Sequence, residues 1–423
     1  MSSSVYTDEI IFSASLIETF NSFYILLFFS SLTILIFYYF FKNALIISIP
    51  IIIYPILNLH IGGLFFCLQN QYKIPIQTSL IIYLMTWLPV LMVALFISLT
   101  NKKIFVTDLK SFQLFLRNNK SLKIFNLFLM SISLISIAFF IINPVVREFF
   151  LNPRLTRKFL LQQNLLVFTT LPSLLFAVFS AFSLINKTYI YLIFYFLLLF
   201  FLGSKSFLFL PLLLFFTYRS IHLMKLPKLK NLIIFSSLIL LLITFSAQLY
   251  NFLKGQDYTS IIPQLASTFD YIGGFNYFLQ NNGPGITEGQ IAKTSYLSFI
   301  PRFLFENKPI IYGHSLTHAK LVPELLKENW HPSFYESFSN YLADYGIFIG
   351  ILMSSIAKFL LVIPIVFKEI RKNKTLFISY IFYMCNPYTG IITLIILSSS
   401  KFFKQKINIK ENNEVNYFEK NTS

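Results

Sequence analysis

Stretches of about twenty apolar residues recur along this chain, and their length narrows the possible folds before any other residue is considered. A helix needs about 20 such residues to cross the hydrocarbon of a bilayer. Runs near that length occupy 20–41, 44–66, 76–100, 124–142, 164–185, 188–202, 205–218, 231–249 and 346–367. The stretch 375–399 is one further span, or two short ones broken at Asn386-Pro387. The runs 188–202 and 205–218 meet at Gly203-Ser204 and can form one broken hairpin. No internal repeat or low-complexity linker interrupts the pattern. Only 12% of residues are charged, against about a quarter in a soluble domain. The expected fold is an all-α polytopic integral membrane protein with 10–11 transmembrane helices.

In a soluble chain the net charge of +17 would suggest nucleic acid. Here the basic residues lie mainly between apolar runs, where they report topology, and no nucleic-acid partner is expected. Lys102, Lys103, Lys110, Arg117, Lys120 and Lys123 follow the third run. Arg219, Lys225, Lys228 and Lys230 follow the seventh, and Lys368, Arg371, Lys372 and Lys374 the ninth. Alternation puts all three groups on one side, which the positive-inside rule makes cytoplasmic. The N-terminus, with Asp8, Glu9 and Glu18 and no early Lys or Arg, then faces outward and lacks the basic start of a cleaved signal peptide. The basic tail returns to the cytoplasm only if 375–399 is split, which favours 11 spans. Cys67 and Cys385, far apart within apolar runs, give neither a disulfide framework nor a thiolate metal site.

The chain therefore divides into transmembrane helices over 1–249, a large external loop over 250–345, closing transmembrane helices over 346–400, and a basic tail over 401–423. A connection as long as 250–345 is functional or disordered. Its aromatics and turn signals, such as "NNGPG" at 281–285, predict a folded segment with short helices at the membrane surface. Polar chemistry concentrates at 298–318, "SFIPRFLFENKPIIYGHSLTH". The residue before Pro301 is held out of the helical region, so a helix in 287–299 stops there and Arg302 emerges at its end. Pro301, Pro309 and Gly313 bracket Arg302 and Lys308 in a stiff loop suited to phosphate oxygens. Snorkelling of both cations to lipid headgroups is the alternative.

The segment "SFIPRFLFENKPIIYG" resembles the large extracytoplasmic loop of the Wzy-type polymerases, which join oligosaccharide repeat units into O-antigen or capsular polysaccharide. Arg302 to Gly313 fits their R-x10-G pattern. "SFYESFSNYLADYGIFIG" at 333–350 is similar to the glutamate and paired glycines that lead into their next span. The likeness is specific over 295–350 and elsewhere rests on the layout of spans and the late large loop. It implies a GT-C-like glycosyltransferase of the bacterial inner membrane, with its large loop in the periplasm. The implied substrate is a polyprenyl-diphosphate-linked oligosaccharide, with no cofactor and no metal. A chain-length regulator protein is a candidate partner, beside the lipid bilayer itself.

A diphosphate leaving group removes the need for ATP or a nucleotide sugar. It calls for cations around the departing phosphates and a base for the acceptor hydroxyl. Arg147, Arg154, Arg157 and Lys158 lie between the fourth and fifth runs, on the side where few cations are expected. "GSKS" at 203–206 is similar to the family's Gly-Ser-Arg element, with Gly203 and Ser204 followed by Lys205 in place of Arg. A lysine there is a point charge and not a bidentate fork. Arg154, Arg157, Lys205, Arg302 and Lys308 are thus the diphosphate-binding candidates, with headgroup contact as the alternative.

Glu336 is the first candidate base. A helix over 333–345 would set Glu336, Asn340 and Asp344 in one polar stripe directed at the membrane, as would a plain solvated face. His314 and His331 are further candidates as neutral imidazoles, with His318 beside them and Asp270 a weaker one. Tyr271, Phe275, Tyr277, Phe278, Tyr296, Tyr312, Trp330 and Tyr335 suit stacking on sugars or an interfacial belt. Gly346 and Gly350 suit close helix packing. His60, beside Gly62-Gly63, lines a cavity or makes a helix contact. Two other functions stay open. An O-antigen ligase or other lipid-linked-sugar transferase is kept in view by His314. A polysaccharide flippase or transporter should show inverted repeats and charges deep within its spans, and the chain is expected to show neither.

Overall fold

The computed structural model of the chain describes residues 22–64, 67, 73–100, 109–144, 167–188, 209–226, 271–299, 309, 311, 313–323 and 334–399. Among these residues the regular elements are helical and no strand occurs. They comprise α1 (Ser22–Phe40), α2 (Lys42–Leu64), α3 (Ile76–Thr100), α4 (Leu109–Arg117), α5 (Lys120–Ile142), α6 (Val167–Asn186) and α7 (Phe209–Leu223). Then follow α8 (Tyr271–Gln280), α9 (Gln290–Thr294), α10 (Ser315–Leu321), α11 (Glu336–Val362), α12 (Lys368–Lys372), α13 (Lys374–Cys385) and α14 (Pro387–Ser399).

Four of the described helices are long and apolar enough to cross a membrane: α1, α2, α3, and α11 with its extension to Val366. Bare apolar side chains on them, such as Leu99 at 84% and Phe348 at 88% exposure, suit a hydrocarbon solvent better than water. The chain is an α-helical membrane protein. Its contacts divide it into two compact units, one of residues 1–42, 52–92 and 260–359 and the other of 43–51, 93–259 and 360–423.

In the first unit, α1 and α2 are separated only by Phe41, whose backbone (φ −131°, ψ 40°) leaves the helical region. Ser30 Oγ meets His60 Nε2 at 2.9 Å, and Phe23 packs where a Cβ on Gly63 would stand, so α1 and this part of α2 run antiparallel. The α3 helix returns beside α1 through Ser22–Ser79 at 3.1 Å and Thr33–Tyr83 at 2.7 Å. A π-turn over Ile56–Ile61 sets His60 Nδ1 3.1 Å from Pro55 O. Because that carbonyl can only accept, Nδ1 carries the proton and Nε2 accepts from Ser30, which in turn accepts from Trp87 Nε1 at 3.1 Å. His60 is therefore a satisfied helix-contact histidine. The segment 271–299 packs onto this same unit, and its Ile272, Phe275 and Phe278 share one apolar core with Phe23, Leu59 and Met85.

In the second unit the amphipathic α4 gathers several helix ends. Its Gln113 donates to Ile185 O at the end of α6 (2.9 Å), and its Phe112 packs on Tyr218 and His222 at the end of α7. Lys374 Nζ donates to Ser111 O at 3.1 Å. Arg371 is fully buried there. Its Nε donates to Ile365 O (2.6 Å) and its Nη1 to Ile221 O (3.3 Å), supplying donors to carbonyls at two helix ends. Asn386, extended at φ −158° and ψ 119°, separates α13 from α14. A Cβ on Gly390 would stand 2.3–2.5 Å from Tyr383 backbone and Cβ atoms, so the chain doubles back between them. The break expected at Asn386-Pro387 is present.

Candidate functional site

The candidate site is built around a sharp corner in α11. Gly346 adopts φ 75° and ψ −176°, a conformation open to glycine and almost nothing else. Beyond it, a Cβ on Gly350 would stand 2.7 Å from Tyr341 O and 2.9 Å from Leu342 Cα. Residues eight or nine apart in an unbroken helix are about 12–13 Å apart. The arm 336–345 is therefore folded back along the helix that follows, and Gly346 and Gly350 serve this corner within α11.

The corner leaves the last carbonyls of the arm without helical donors, and the loop 281–292 supplies them. Gly285 N donates to Leu342 O (2.8 Å) and Thr287 N to Ala343 O (2.9 Å). The Asp344 carboxylate accepts from Thr287 Oγ1 (2.7 Å), Ile291 N (2.9 Å) and Ala292 N (2.7 Å), capping the start of α9. The stripe Glu336–Asn340–Asp344 exists, but its last member is committed to structure. The amide oxygen of Asn340 is buried and has no hydrogen-bond partner among the described residues.

From α9 the order passes to Gly313, whose N–H donates to Thr294 Oγ1 at 2.9 Å and whose φ of 58° favours glycine. His314 follows at the start of α10. His318, one turn on, is buried and stacks on Phe334 at 4.8 Å with the rings 15° apart. Lys320 Nζ ties α10 to Ile286 O at 2.7 Å. Two residues after Phe334, the half-buried Glu336 opens α11, where the helix N-terminus favours a carboxylate. Tyr335 beside it holds φ 58°, strained for an aromatic residue, and is clasped by the rings of Tyr271 (5.9 Å) and Phe338 (4.9 Å).

The electrostatics converge on the same place. Burial lowers the His314 pKa below the usual imidazole value, and the Glu336 charge partly opposes that shift. Burial raises the Tyr271 phenol, and Glu336 adds to the rise. Burial likewise raises Tyr335. The Glu336 side chain thus acts on the His314 imidazole and on the Tyr271 and Tyr335 phenols, which come from three stretches of the chain. Such a set can accept a proton from a hydroxyl and hold polar rings in place.

Of the residues expected from sequence, the structure brings Gly313, His314 and Glu336 into one assembly, and leaves Pro309 exposed. Arg302, Lys308, Pro301, His331, Lys205, Gly203, Ser204, Arg154, Arg157 and Asp270 lie outside the described residues. No protein-family model, no curated protein and no solved structure matches this chain.

One charged residue escaped the sequence reading. Lys358 lies within the apolar segment 347–366, contrary to the expectation that no charge sits deep in a span. A lysine at a helix centre costs about 2.5–3.5 kcal/mol on insertion scales. Its Nζ lies 4.0 Å from the centroid of the Phe338 ring and 3.2 Å from Met85 O, which offset part of that cost. The available signal was this single Lys in an otherwise uncharged run.

Proposed function

We propose that the chain is a membrane glycosyltransferase that polymerises polyprenyl-diphosphate-linked oligosaccharide repeat units into O-antigen or capsular polysaccharide. The observation that carries the reading is that the charge of Glu336, from the second segment resembling that family, is felt at His314, next to the glycine of the R-x10-G stretch. In the reaction an acceptor hydroxyl attacks the anomeric carbon of the donor. A glycosidic bond forms, the bond from carbon to phosphate oxygen breaks, and polyprenyl diphosphate leaves. Glu336 takes the hydroxyl proton directly, or neutral His314 takes it with Glu336 stabilising the imidazolium. Arg302, Lys308, Lys205, Arg154 and Arg157 neutralise the departing diphosphate in this scheme. The active face is the periplasmic side of a bacterial inner membrane.

Two other readings have an observation in their favour. His314 as a neutral imidazole suits a ligase or related lipid-linked-sugar transferase. Lys358 within a span suits a transporter. One experiment separates the three. Arg302→Ala in the parent cell is expected to leave lipid-linked single repeats at the outer face and to abolish long polymer. Normal polymer length would remove Arg302 from the mechanism. Long polymer that stays on its lipid carrier would indicate a ligase. Repeats trapped at the inner face would indicate a transporter.

A further inference from the structure

We infer that Lys358 is a positioning residue that holds the 336–345 arm, and with it Glu336, by using a carbonyl that Pro89 leaves without its helical donor. In an α-helix the carbonyl of residue i accepts from the N–H of residue i+4. For Met85 that residue is Pro89, inside α3, and proline has no N–H. Lys358 Nζ stands 3.2 Å from Met85 O and supplies the missing donor from another helix. The same ammonium lies 4.0 Å from the ring centroid of Phe338, two residues after Glu336.

The corner at Gly346 makes this possible. Lys358 and Phe338 are twenty residues apart and would stand about 30 Å apart along a straight helix. Phe338 is fully buried and packs on Phe275 (6.0 Å) and Tyr335 (4.9 Å), so the cation reaches α3 on one side and the clasp around Tyr335, the residue before Glu336, on the other. No carboxylate among the described residues acts on Lys358, so an ion pair does not explain its place. A topology signal does not explain it either, since such lysines sit in loops. That the arm serves catalysis rests on the polymerase reading of Glu336. That Lys358 holds the arm does not.

The test uses the full chain in detergent, with Cys67→Ala and Cys385→Ala removing both native thiols and Ser339→Cys placing one on the buried side of the arm. Two quantities are read: thermal midpoint, and the rate at which a water-soluble maleimide labels Cys at 339. Lys358→Met is expected to lower the midpoint and to raise labelling on the order of tenfold as the arm opens. Lys358→Arg, which keeps a donor and a cation, should stay near the starting values. Pro89→Ala added to Lys358→Met restores an N–H to Met85 O inside α3 and also serves if the single variant folds poorly. In that double variant the midpoint recovers while labelling stays high, because the contact to Phe338 is still missing. Unchanged labelling in Lys358→Met, or labelling that returns to baseline in the double variant, would overturn the inference. The catalytic role of Glu336 in the polymerase reading fails on a different result, normal polymer in Glu336→Gln cells.

Discussion

At the scale of single residues, the site depends on which groups carry protons near pH 7. Burial holds His314 below the usual imidazole pKa of about 6.5, and the Glu336 charge pulls it back up. Glu336→Gln removes the upward pull, so the His314 pKa should fall further. NMR titration of labelled histidine, assigned with His314→Gln, measures this, and an unchanged pKa would mean the two groups do not sense each other. The sign for stability follows from proton linkage. With the folded pKa below the unfolded one, the unfolded chain binds more protons between them, and stability rises with pH there. The His314 contribution is complete above about pH 6.5 and is lost as pH falls through the folded pKa. The midpoint of His314→Gln should therefore change less between pH 7 and pH 5 than that of the parent.

At the scale of elements, the corner in α11 decides where Glu336 stands. Gly346→Ala must either adopt a glycine-only backbone or straighten the arm, and should cost about 1–3 kcal/mol, read from thermal unfolding in detergent. An unaffected midpoint would show that the corner is not held by this residue. What the sequence disclosed about these elements depended on how local each cause is. The break at Asn386-Pro387 was legible because proline acts on its own helix and on the residue before it. The polar stripe on the arm was legible from helical spacing, and the folded character of 271–299 from its turn residues. The use of Asp344 was not, because it depends on Thr287, Ile291 and Ala292, more than fifty residues away, arriving beside it. The G-x-x-x-G spacing of Gly346 and Gly350 suggested packing between helices, and only the backbone reveals a corner within one. Arg371 belonged to a loop charge cluster, yet it ends up buried against Ile221 O and Ile365 O. Lys358 was hidden by averaging, since one cation barely changes the hydropathy of a long run.

At the scale of the whole molecule, function depends on orientation in the bilayer. Loop charge assigned the segment after the third run and those after the seventh and ninth to one side. In the second unit α4 touches the end of α7 and the start of α13, and the end of α6 as well. Alternation assigns the segments after the third, fifth, seventh and ninth runs to one side, and α4, which belongs to the first of them, contacts the other three. Single cysteines at the exposed Asn118, Lys187 and Lys372, in the chain lacking Cys67 and Cys385, should all resist a membrane-impermeant maleimide added to cells with a permeabilised outer envelope. Cysteine at the exposed Asn281 should react, as should cysteines replacing Arg154, Lys205 and Arg302. A split among Asn118, Lys187 and Lys372 would contradict the packing around α4. A split among Arg154, Lys205 and Arg302 would break the cation cluster, because charges on opposite faces cannot grip one diphosphate. Uniform reversal would turn Glu336 and His314 toward the cytoplasm, where a polymerase acting on exported repeats would have no substrate.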